Sequence, residues 1–489
     1  MKTTLLILTL ATLAACSSDS PESISTNVIT ITNTFSSPTV ISATTSLESS
    51  GPITLIPTPS LTDDDYSIRR LAISPDDTLL TLKSYKNGTS AVSLDLYNLG
   101  IDTLTPLGRR DEFVSAALNA ETTSLVYVVD CLAYLQTDSE STEPLLLNAF
   151  LKTDACVGTA SLDIAADTVL MLVSPGRVTD SGVLIFDNDQ SGESYFVTYT
   201  RSNNRVVSLA KADVSLNDEE LDAMDWQISV PRLSNDGSLM VFHALFQHNA
   251  SSGTGNPIIA TFAIDTDTSN TTIIGKREYS DLTLCSRCTQ NPFMEPVISG
   301  NGRYVFFQQA NDAVDGVSSK ENPGLYRYDF TTGNTADLAI THAASALVSN
   351  TQGNRFAYVS GNDVMVRYLD SNEEINLTPA MRFCSQDPCE IIAHYFVHQQ
   401  PIKMNTEGTV LFVSAQVGPT ENITSDYFHE QQLFDLDLRE MKRLVPNQDF
   451  EPYVASSDGK RVYFASETDN LVPGDTDGTV NLFYIERAQ

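Results

Sequence analysis

One short pattern, repeated eight times between Ser74 and Gly459, limits the fold of this chain more than any other feature. In each copy a few apolar residues lead into a polar turn of Ser, Asn, Asp and Gly, and a β-forming strand follows directly. The turns follow one another at intervals of 45 to 70 residues. The six clear copies have their turns at 74–77, 234–237, 299–302, 349–353, 405–408 and 456–459, and two weaker copies lie at 119–122 and 165–167.

Each of these turns is a hairpin signal, because Asn, Asp and Gly tolerate the positive φ angles of tight β-turns. Most units then carry a second pair of strands with alternating apolar and polar residues, such as residues 325–330 before the turn at 332–334. Four strands per unit, with a period of roughly 40–50 residues, are typical of a β-propeller. The sequence therefore predicts an all-β fold with a single β-propeller over residues 53–489. We expect eight four-stranded blades, or seven if one weak copy is not a blade.

The two ends of the repeated region predict how the ring closes. The last unit stops after a third strand at residues 481–487, whereas a spare strand, Ile53–Ile56, precedes the first unit. An N-terminal strand that completes the last blade would leave no open sheet edge. We therefore expect Ile53–Ile56 to be the fourth strand of the last blade.

The turns resemble the Ser-Pro-Asp-Gly repeats of TolB-type propellers, which are also called PD40 or WD40-like repeats. The copy at 74–77 reads Ser-Pro-Asp-Asp, and the other copies lack the Pro. Residues 469–478 are similar to a loop that is common in bacterial members of this family. The resemblance covers nearly all of the chain after residue 53 and implies the propeller fold. TolB itself has a further domain before its propeller, and we expect none here, so TolB's own partner and role are not implied.

The first residues predict export and a lipid anchor. Met1 and Lys2 are followed by an apolar run to Leu13, and residues 13–16 (Leu-Ala-Ala-Cys) match the bacterial lipobox. The apolar run is too short to span a bilayer, so residues 1–15 are expected to be a lipoprotein signal peptide. Cys16 would then be the lipidated first residue of the mature protein. An ordinary secretory signal is the alternative.

The residues after Cys16 bear on location. An Asp directly after the lipidated Cys would favour the inner membrane by the usual sorting rule, and Ser17 stands there instead. We therefore expect anchoring to the outer membrane, with the propeller facing the periplasm or the cell surface, and no other membrane contact. The Ser- and Thr-rich residues 16–52 are expected to be a tether of roughly 35 Å, although the alternating residues 28–32 could dock as a strand.

The net charge of −33 limits the class of partner. Such an acidic chain is repelled by nucleic acid and by anionic lipid, so neither is expected to bind it electrostatically. An envelope protein or peptide is the expected partner. The acidic surface could also serve solubility alone, or attract cations or a basic partner.

Six cysteines remain besides Cys16, and an even number after an export signal favours structural disulfides. The Cys-x-x-Cys spacing at 285–288 would also fit a redox motif or half of a zinc site, but no thioredoxin-like pattern surrounds it. The cysteines form three pairs that are close in sequence: Cys131 with Cys156, Cys285 with Cys288, and Cys384 with Cys389.

A propeller sorts its connections between two ends, and the polar turns of the repeat share one of them. The long insertions and the six cysteines fall at the other end, which we call the loop-rich end and where we expect the binding surface. His394 and His398 fall there too, and His429 is expected in the adjacent loop of the same blade. Positions 394 and 398 would share a face of a strand, so these histidines could bind a metal. A chance grouping is the simpler interpretation. Some TolB-like propellers are lyases that use such histidines, so the resemblance keeps this alternative open.

Three aspartates of a loop at the same end, Asp469, Asp475 and Asp477, could provide oxygen ligands for calcium, which prefers flexible loops rich in carboxylates. The closing Glu of an EF-hand loop is missing, and turn formation explains the same residues. No cofactor is expected, with calcium as the alternative.

Familiar catalytic motifs are missing from the sequence: it contains no Gly-x-Ser-x-Gly, His-Glu-x-x-His, P-loop or dinucleotide fingerprint. The sequence therefore favours a non-catalytic, outer-membrane-anchored lipoprotein whose propeller binds a protein or another ligand in the cell envelope. The alternatives are a polysaccharide lyase with a histidine-bound metal and a calcium-dependent surface adhesion protein.

Overall fold

The computed structural model describes the chain in segments that together form a ring of β-sheets. The described residues are 33–42, 44–45, 53–56, 66–73, 78–85, 92–98, 103–110, 113–118, 124–129, 131–137, 144–151, 156–163, 167–174, 177–178, 184–185, 195–209, 221, 225–229, 231–247, 257–278, 295–310, 323–340, 344–360, 363–381, 389–391, 402–419, 428–445, 453–456, 460–466, 472–473 and 481–486.

Four strands precede the first blade, and the sheets then follow in chain order. The four are β1 (Asn33–Thr34), β2 (Thr39–Ser42), β3 (Thr44–Thr45) and β4 (Ile53–Ile56). Blade 1 contains β5 (Tyr66–Ile73), β6 (Thr78–Tyr85), β7 (Val92–Asn98) and β8 (Thr103–Arg110). Blade 2 contains β9 (Phe113–Leu118), β10 (Leu125–Val129), β11 (Leu132–Gln136) and β12 (Leu145–Leu146), and a 3₁₀ helix at Leu147–Phe150 follows it.

Blades 3 and 4 each contain additional short strands. Blade 3 contains β13 (Cys156–Leu162), β14 (Thr168–Ser174), β17 (Tyr195–Thr200) and β18 (Arg205–Leu209), with a separate two-stranded hairpin of β15 (Arg177–Val178) and β16 (Leu184–Ile185). Blade 4 contains β19 (Asp225–Ile228) and β20 (Arg232–Leu233), which both pair with β21 (Leu239–Gln247), and then β22 (Ile258–Asp265) and β23 (Thr271–Glu278).

The remaining four sheets repeat the arrangement. Blade 5 contains β24 (Val297–Ile298), β25 (Tyr304–Ala310), β26 (Pro323–Asp329) and β27 (Asn334–Asp337). Blade 6 contains β28 (Ala344–Ser349), β29 (Arg355–Ser360), β30 (Asp363–Tyr368) and β31 (Glu373–Asn376), followed by the helix α1 (Thr378–Met381). Blade 7 contains β32 (Cys389–Ile391), β33 (Ile402–Met404), β34 (Val410–Pro419), β35 (Phe428–Asp435) and β36 (Glu440–Val445). Blade 8 contains β37 (Tyr453–Ala455), β38 (Arg461–Ser466) and β39 (Asn481–Glu486).

The predicted single all-β propeller is confirmed, and so is its closure. β4 pairs antiparallel with β39, with Leu55 opposite Phe483, and becomes the fourth strand of blade 8. β37 of blade 8 contacts β5 of blade 1, which closes the ring. No described helix is long and apolar enough to cross a membrane.

The hydrophobic core lies between neighbouring blades. One cluster joins Phe242 of blade 4 to Leu170 of blade 3, and others join blade 2 to 3, 4 to 5, 5 to 6, 6 to 7 and 7 to 8. Burial on both faces explains the apolar run of Ile258–Asp265 at the centre of blade 4, where seven of the eight residues are buried.

The repeated turn has a local physical cause. Its first residue is a short polar side chain whose oxygen accepts the backbone N–H five residues later. Ser234 accepts from Leu239 at 3.0 Å, and Ser299 accepts from Tyr304 at 2.9 Å. Asp163 of blade 3 does the same for Thr168 at 3.0 Å, so the same hydrogen bond flanks the weak copy at 165–167.

The same turns also join the blades. The N–H of Asn235 donates to the carbonyl of Gly300 in the next blade, and Asn301 donates in the same way to Thr351 (both 2.9 Å). The turn glycines have φ near +70° and lie against the first turn residue of the preceding blade. A Cβ on Gly353, for example, would be 2.9 Å from the Cβ of Ser299. The motif is therefore a joint between blades.

The N-terminal residues 33–42 and 44–45, which we call the rim segment, differ from the prediction of a tether over residues 16–52. β1, β2 and β3 pair in parallel with β27, β31 and β36, the outermost strands of blades 5, 6 and 7. The rim segment therefore adds one outer strand to each of three blades. Backbone pairing and apolar contacts hold it in place, while the predicted strand at 28–32 lies outside the described residues.

Candidate functional site

At the loop-rich end, the connection between blades 2 and 3 is fixed by a disulfide and one asparagine. Cys131, in the turn between β10 and β11, is bonded to Cys156 at the start of β13, and their Cα atoms are 4.4 Å apart. Asn148 of the 3₁₀ helix donates to the carbonyl of Cys131 at 3.0 Å and accepts from the N–H of Ala133 at 2.6 Å. Val157 also donates to the Cys131 carbonyl, at 3.1 Å. Two blades and the connection between them are thus tied at one point.

In blade 7 the structure corrects the position of one predicted ligand. We expected His429 in a loop, but it lies in β35, where its Cα is paired with that of Gln416. The pairing of β35 with its partner strand β34 continues as far as Phe428, opposite Val417, and so includes His429 in the sheet. Cys389 begins β32, where its Cα is paired with that of Pro419.

β32 and β33 both pair with β34, and ten residues separate the two strands in the sequence. Ile391 is opposite Val417, and Ile402 is opposite Val413. Ten residues on one side thus correspond to only three on the other. His394 and His398 belong to those ten, which lie outside the described residues. Their proximity to His429 stays a prediction.

The other predicted site residues also lie outside the described part of the chain: Cys16, Cys285, Cys288, Cys384, Asp469, Asp475 and Asp477. Within the described residues there is no group of three or more His, Cys, Asp or Glu that could hold a metal ion. The metal, calcium and remaining disulfide assignments therefore stay predictions.

One histidine of the described residues has a structural role and is not part of a candidate metal site. His243 in β21 is fully buried between strands, and its Nδ1 is 2.9 Å from the hydroxyl of Thr261. Its backbone N–H donates to Ser229 Oγ at 3.0 Å. This ring is held inside the sheet and serves packing.

Sequence reasoning missed a cationic site that the rim segment covers. The ring of Phe35 lies 5.1 Å from the guanidinium carbon of Arg327 in blade 5 and 5.7 Å from that of Arg367 in blade 6. Arg367 is fully buried and donates to the carbonyl of Leu338. Burial lowers the pKa of both arginines, and Glu374 opposes this for Arg367. Contacts with the ring stabilise the two cations. The available signal was that Phe35 is the only aromatic residue between positions 17 and 52.

Next to Arg367, a tyrosine and a carboxylate form a buried pair. The hydroxyl of Tyr358 donates to Glu374 at 2.6 Å, and both side chains are almost completely buried. Burial and the adjacent carboxylate raise the pKa of Tyr358 well above its usual value. The carboxylate of Glu374 also faces the Arg367 cation, so the three groups balance one another inside the joint between blades 5 and 6.

Comparison with known proteins identifies no family for this chain. No protein-family model matches the chain, and no curated protein matches it. Among solved structures it is similar to an oligogalacturonate lyase in complex with manganese, with 13% identity over 90% of this chain and 99% of that chain and a TM-score of 0.43.

Two further solved structures are similar to the same extent. An oligogalacturonate lyase from Vibrio parahaemolyticus has 10% identity over 91% of this chain and 99% of that chain, with a TM-score of 0.44. The β-propeller domain of the Trilobed protease from Pyrococcus furiosus has 8% identity over 86% and 95%, with a TM-score of 0.39. At these values the likenesses carry no argument about function.

Proposed function

We propose that this protein is a non-catalytic lipoprotein, anchored to the outer membrane through Cys16, whose propeller binds a protein or peptide partner in the cell envelope. The lipobox at residues 13–16 supports the anchor, and the lack of a familiar catalytic motif in the sequence favours binding over catalysis.

The observation that carries this proposal is the position of the rim segment. Its first residue, Asn33, follows Cys16 by 17 positions (33 − 16 = 17), which is at most about 58 Å of extended chain. The rim segment lies along the outermost strands of blades 5 to 7. A lipid anchor would therefore be attached to the circumference of the propeller, and both ends of the ring would be free for a partner.

The connection between blades 2 and 3 suits a binding role for the loop-rich end. It is fixed by the Cys131–Cys156 disulfide and by the two hydrogen bonds of Asn148. A surface that is rigid before binding loses less conformational entropy when a partner docks.

The anchor is tested by metabolic labelling of cells with a radiolabelled fatty acid, followed by fractionation. We expect label on the wild-type chain in the outer-membrane fraction. Cys16→Ser should carry no label and should leave that fraction, and Ser17→Ala is the matched control that keeps both. An unlabelled wild-type chain would contradict the lipoprotein proposal.

The partner is tested by crosslinking intact envelopes and identifying the proteins that copurify with the labelled chain. A dominant protein at near-stoichiometric amount is expected. If no protein rises above the level found with an unrelated outer-membrane lipoprotein, the binding proposal fails and small ligands become the alternative.

A further inference from the structure

Exposed apolar side chains are concentrated on the outer rim of blades 2 and 3. Six large hydrophobic residues are exposed in the described part of the chain, and two of them, Val40 and Leu438, lie elsewhere. The other four, which we call the rim patch, are Leu145, Leu146, Phe150 and Val206, with 41%, 38%, 37% and 36% of their surfaces exposed. Exposed apolar surface of this kind often marks an interaction site.

Three members of the rim patch face the groove between the two blades. The ring of Phe150 stacks on that of Tyr199 in β17 at 4.9 Å, and Val206 in β18 is the strand partner of Tyr199. Leu145 is opposite Leu135, whose side chain belongs to the core between blades 2 and 3. Leu146 is the next residue of β12 and points to the other face of blade 2.

The rim patch is built on a rigid support. The 3₁₀ helix that carries Phe150 has Leu147 fully buried in the core between the blades. Asn148 joins this helix to the turn of the Cys131–Cys156 disulfide by hydrogen bonds of 2.6 and 3.0 Å. The apolar side chains are therefore held in position before any partner arrives.

The rim segment shows how equivalent grooves are covered elsewhere in the same molecule. Between blades 5 and 6, Phe35 packs against the interblade core, and between blades 6 and 7 Ile41 does so. β1, which directly precedes Phe35, pairs in parallel with β27, and β2, which contains Ile41, pairs in parallel with β31. In the described part of the chain, no further strand pairs with the outer edge of β12 or of β18.

We propose that the rim patch binds an extended segment of a partner protein, which adds a strand to the outer edges of β12 and β18 and places an apolar side chain in the groove between them. Strand addition gives affinity through backbone hydrogen bonds, and the groove gives specificity. The net charge of −33 opposes a second copy of this chain and an anionic lipid surface, so the segment is neutral or basic. The inference rests on the proposed binding function but not on the lipid anchor.

The test uses the full chain and a displayed library of linear twelve-residue peptides. We expect selected peptides to carry apolar residues at spaced positions. Their affinity should fall at least about tenfold for the double variant Leu145→Lys/Val206→Lys. Leu438→Lys, at an exposed leucine in blade 7, is the matched control and should bind as the wild type does. Hydrogen exchange should show new protection of β12 and β18 when peptide is bound.

Three results would overturn the inference: selected peptides that bind the double variant equally well, a dimer that the double variant abolishes, or binding to phosphatidylglycerol vesicles through the rim patch. The variant must keep the Tm and the Cys131–Cys156 disulfide of the wild type; if it does not, Val206→Thr alone replaces it with an expected loss of about threefold. Because labelling of Cys16 is measured separately, a failed peptide selection leaves the anchor proposal intact.

Discussion

Tyr368 joins blades 6 and 7 through its hydroxyl, which donates to the carbonyl of Leu436 at 2.8 Å. Burial raises the pKa of Tyr368 to about 12, although the nearby Arg355 acts in the opposite direction. An unfolded tyrosine ionises near pH 10. Between these two values the unfolded chain gives up a proton that the folded chain keeps, so the free energy of unfolding falls as the pH rises from about 10 to about 12.

Tyr368→Phe should therefore change the pH dependence of stability. At pH 8 the variant loses one hydrogen bond, which costs about 1 kcal/mol. At pH 11 and above, the wild type is destabilised by roughly 1–2 kcal/mol because its folded state resists ionisation of Tyr368, and the variant is not. The difference in the free energy of unfolding between the two proteins should therefore shrink or reverse. Urea unfolding of both proteins at pH 8 and pH 11 measures this difference. An equal deficit at the two values would show that the Tyr368 hydroxyl does not titrate as described.

The residues of the candidate site were only partly accessible to sequence reasoning. The spacing of Cys131 and Cys156 identified a pair that the structure joins. His429 was misplaced because strand length depends on the partner strand, which local pattern does not show. Phe35 and Arg367 meet although they are more than 300 positions apart, and no local signal connects residues at that separation.

The turn between the first two strands of each blade is the element that the sequence identified best. Its signal is local, since side-chain acceptors and a glycine with positive φ are sufficient to define it. The rim segment was harder, because β1, β2 and β3 are each four residues or shorter and gain their stability from edges of distant blades. Alternation in the sequence pointed to residues 28–32 instead.

Two glycines separate the role of this turn as a local structure from its role as a joint: Gly353 lies in it, and Gly333 lies in the turn between β26 and β27. Gly353 has φ of +67°, and an added Cβ would lie 2.6 Å from Tyr304 and 2.9 Å from Ser299 in the preceding blade. Gly333 has φ of +68°, but its added Cβ would meet nothing closer than 3.9 Å. Both Ala variants lose about 1–2 kcal/mol from the left-handed backbone. Gly353→Ala should lose a further 1–3 kcal/mol, approximately, from overpacking.

Thermal unfolding of the two glycine variants under identical conditions measures the difference. We expect the midpoint of Gly353→Ala to lie several degrees below that of Gly333→Ala. Equal midpoints would mean that the turn does not bear on the neighbouring blade.

The molecule as a whole depends on a small part of its sequence for closure. β4 supplies the last strand of blade 8, where Leu55 and Ile56 cover a sheet whose Phe483 and Ile485 are buried. The architecture was predictable because the count of strands in the last repeat left one position open. The sequence did not show which blades the rim segment would join, since any outer strand offers an edge of similar geometry.

Two truncated chains distinguish the closure of the ring by β4 from the reinforcement of blades 5 to 7 by the rim segment. A chain of residues 46–489 lacks the rim segment but keeps β4, whereas a chain of residues 57–489 lacks both. We expect the shorter chain to unfold at least about 5 °C below the longer one, because it loses the buried side chains of β4 as well. Its open β39 edge should also cause association at higher concentration, measurable by light scattering. A peptide of residues 50–60 should restore the midpoint of the shorter chain; if the two truncations melt together and stay monomeric, β4 does not close the ring.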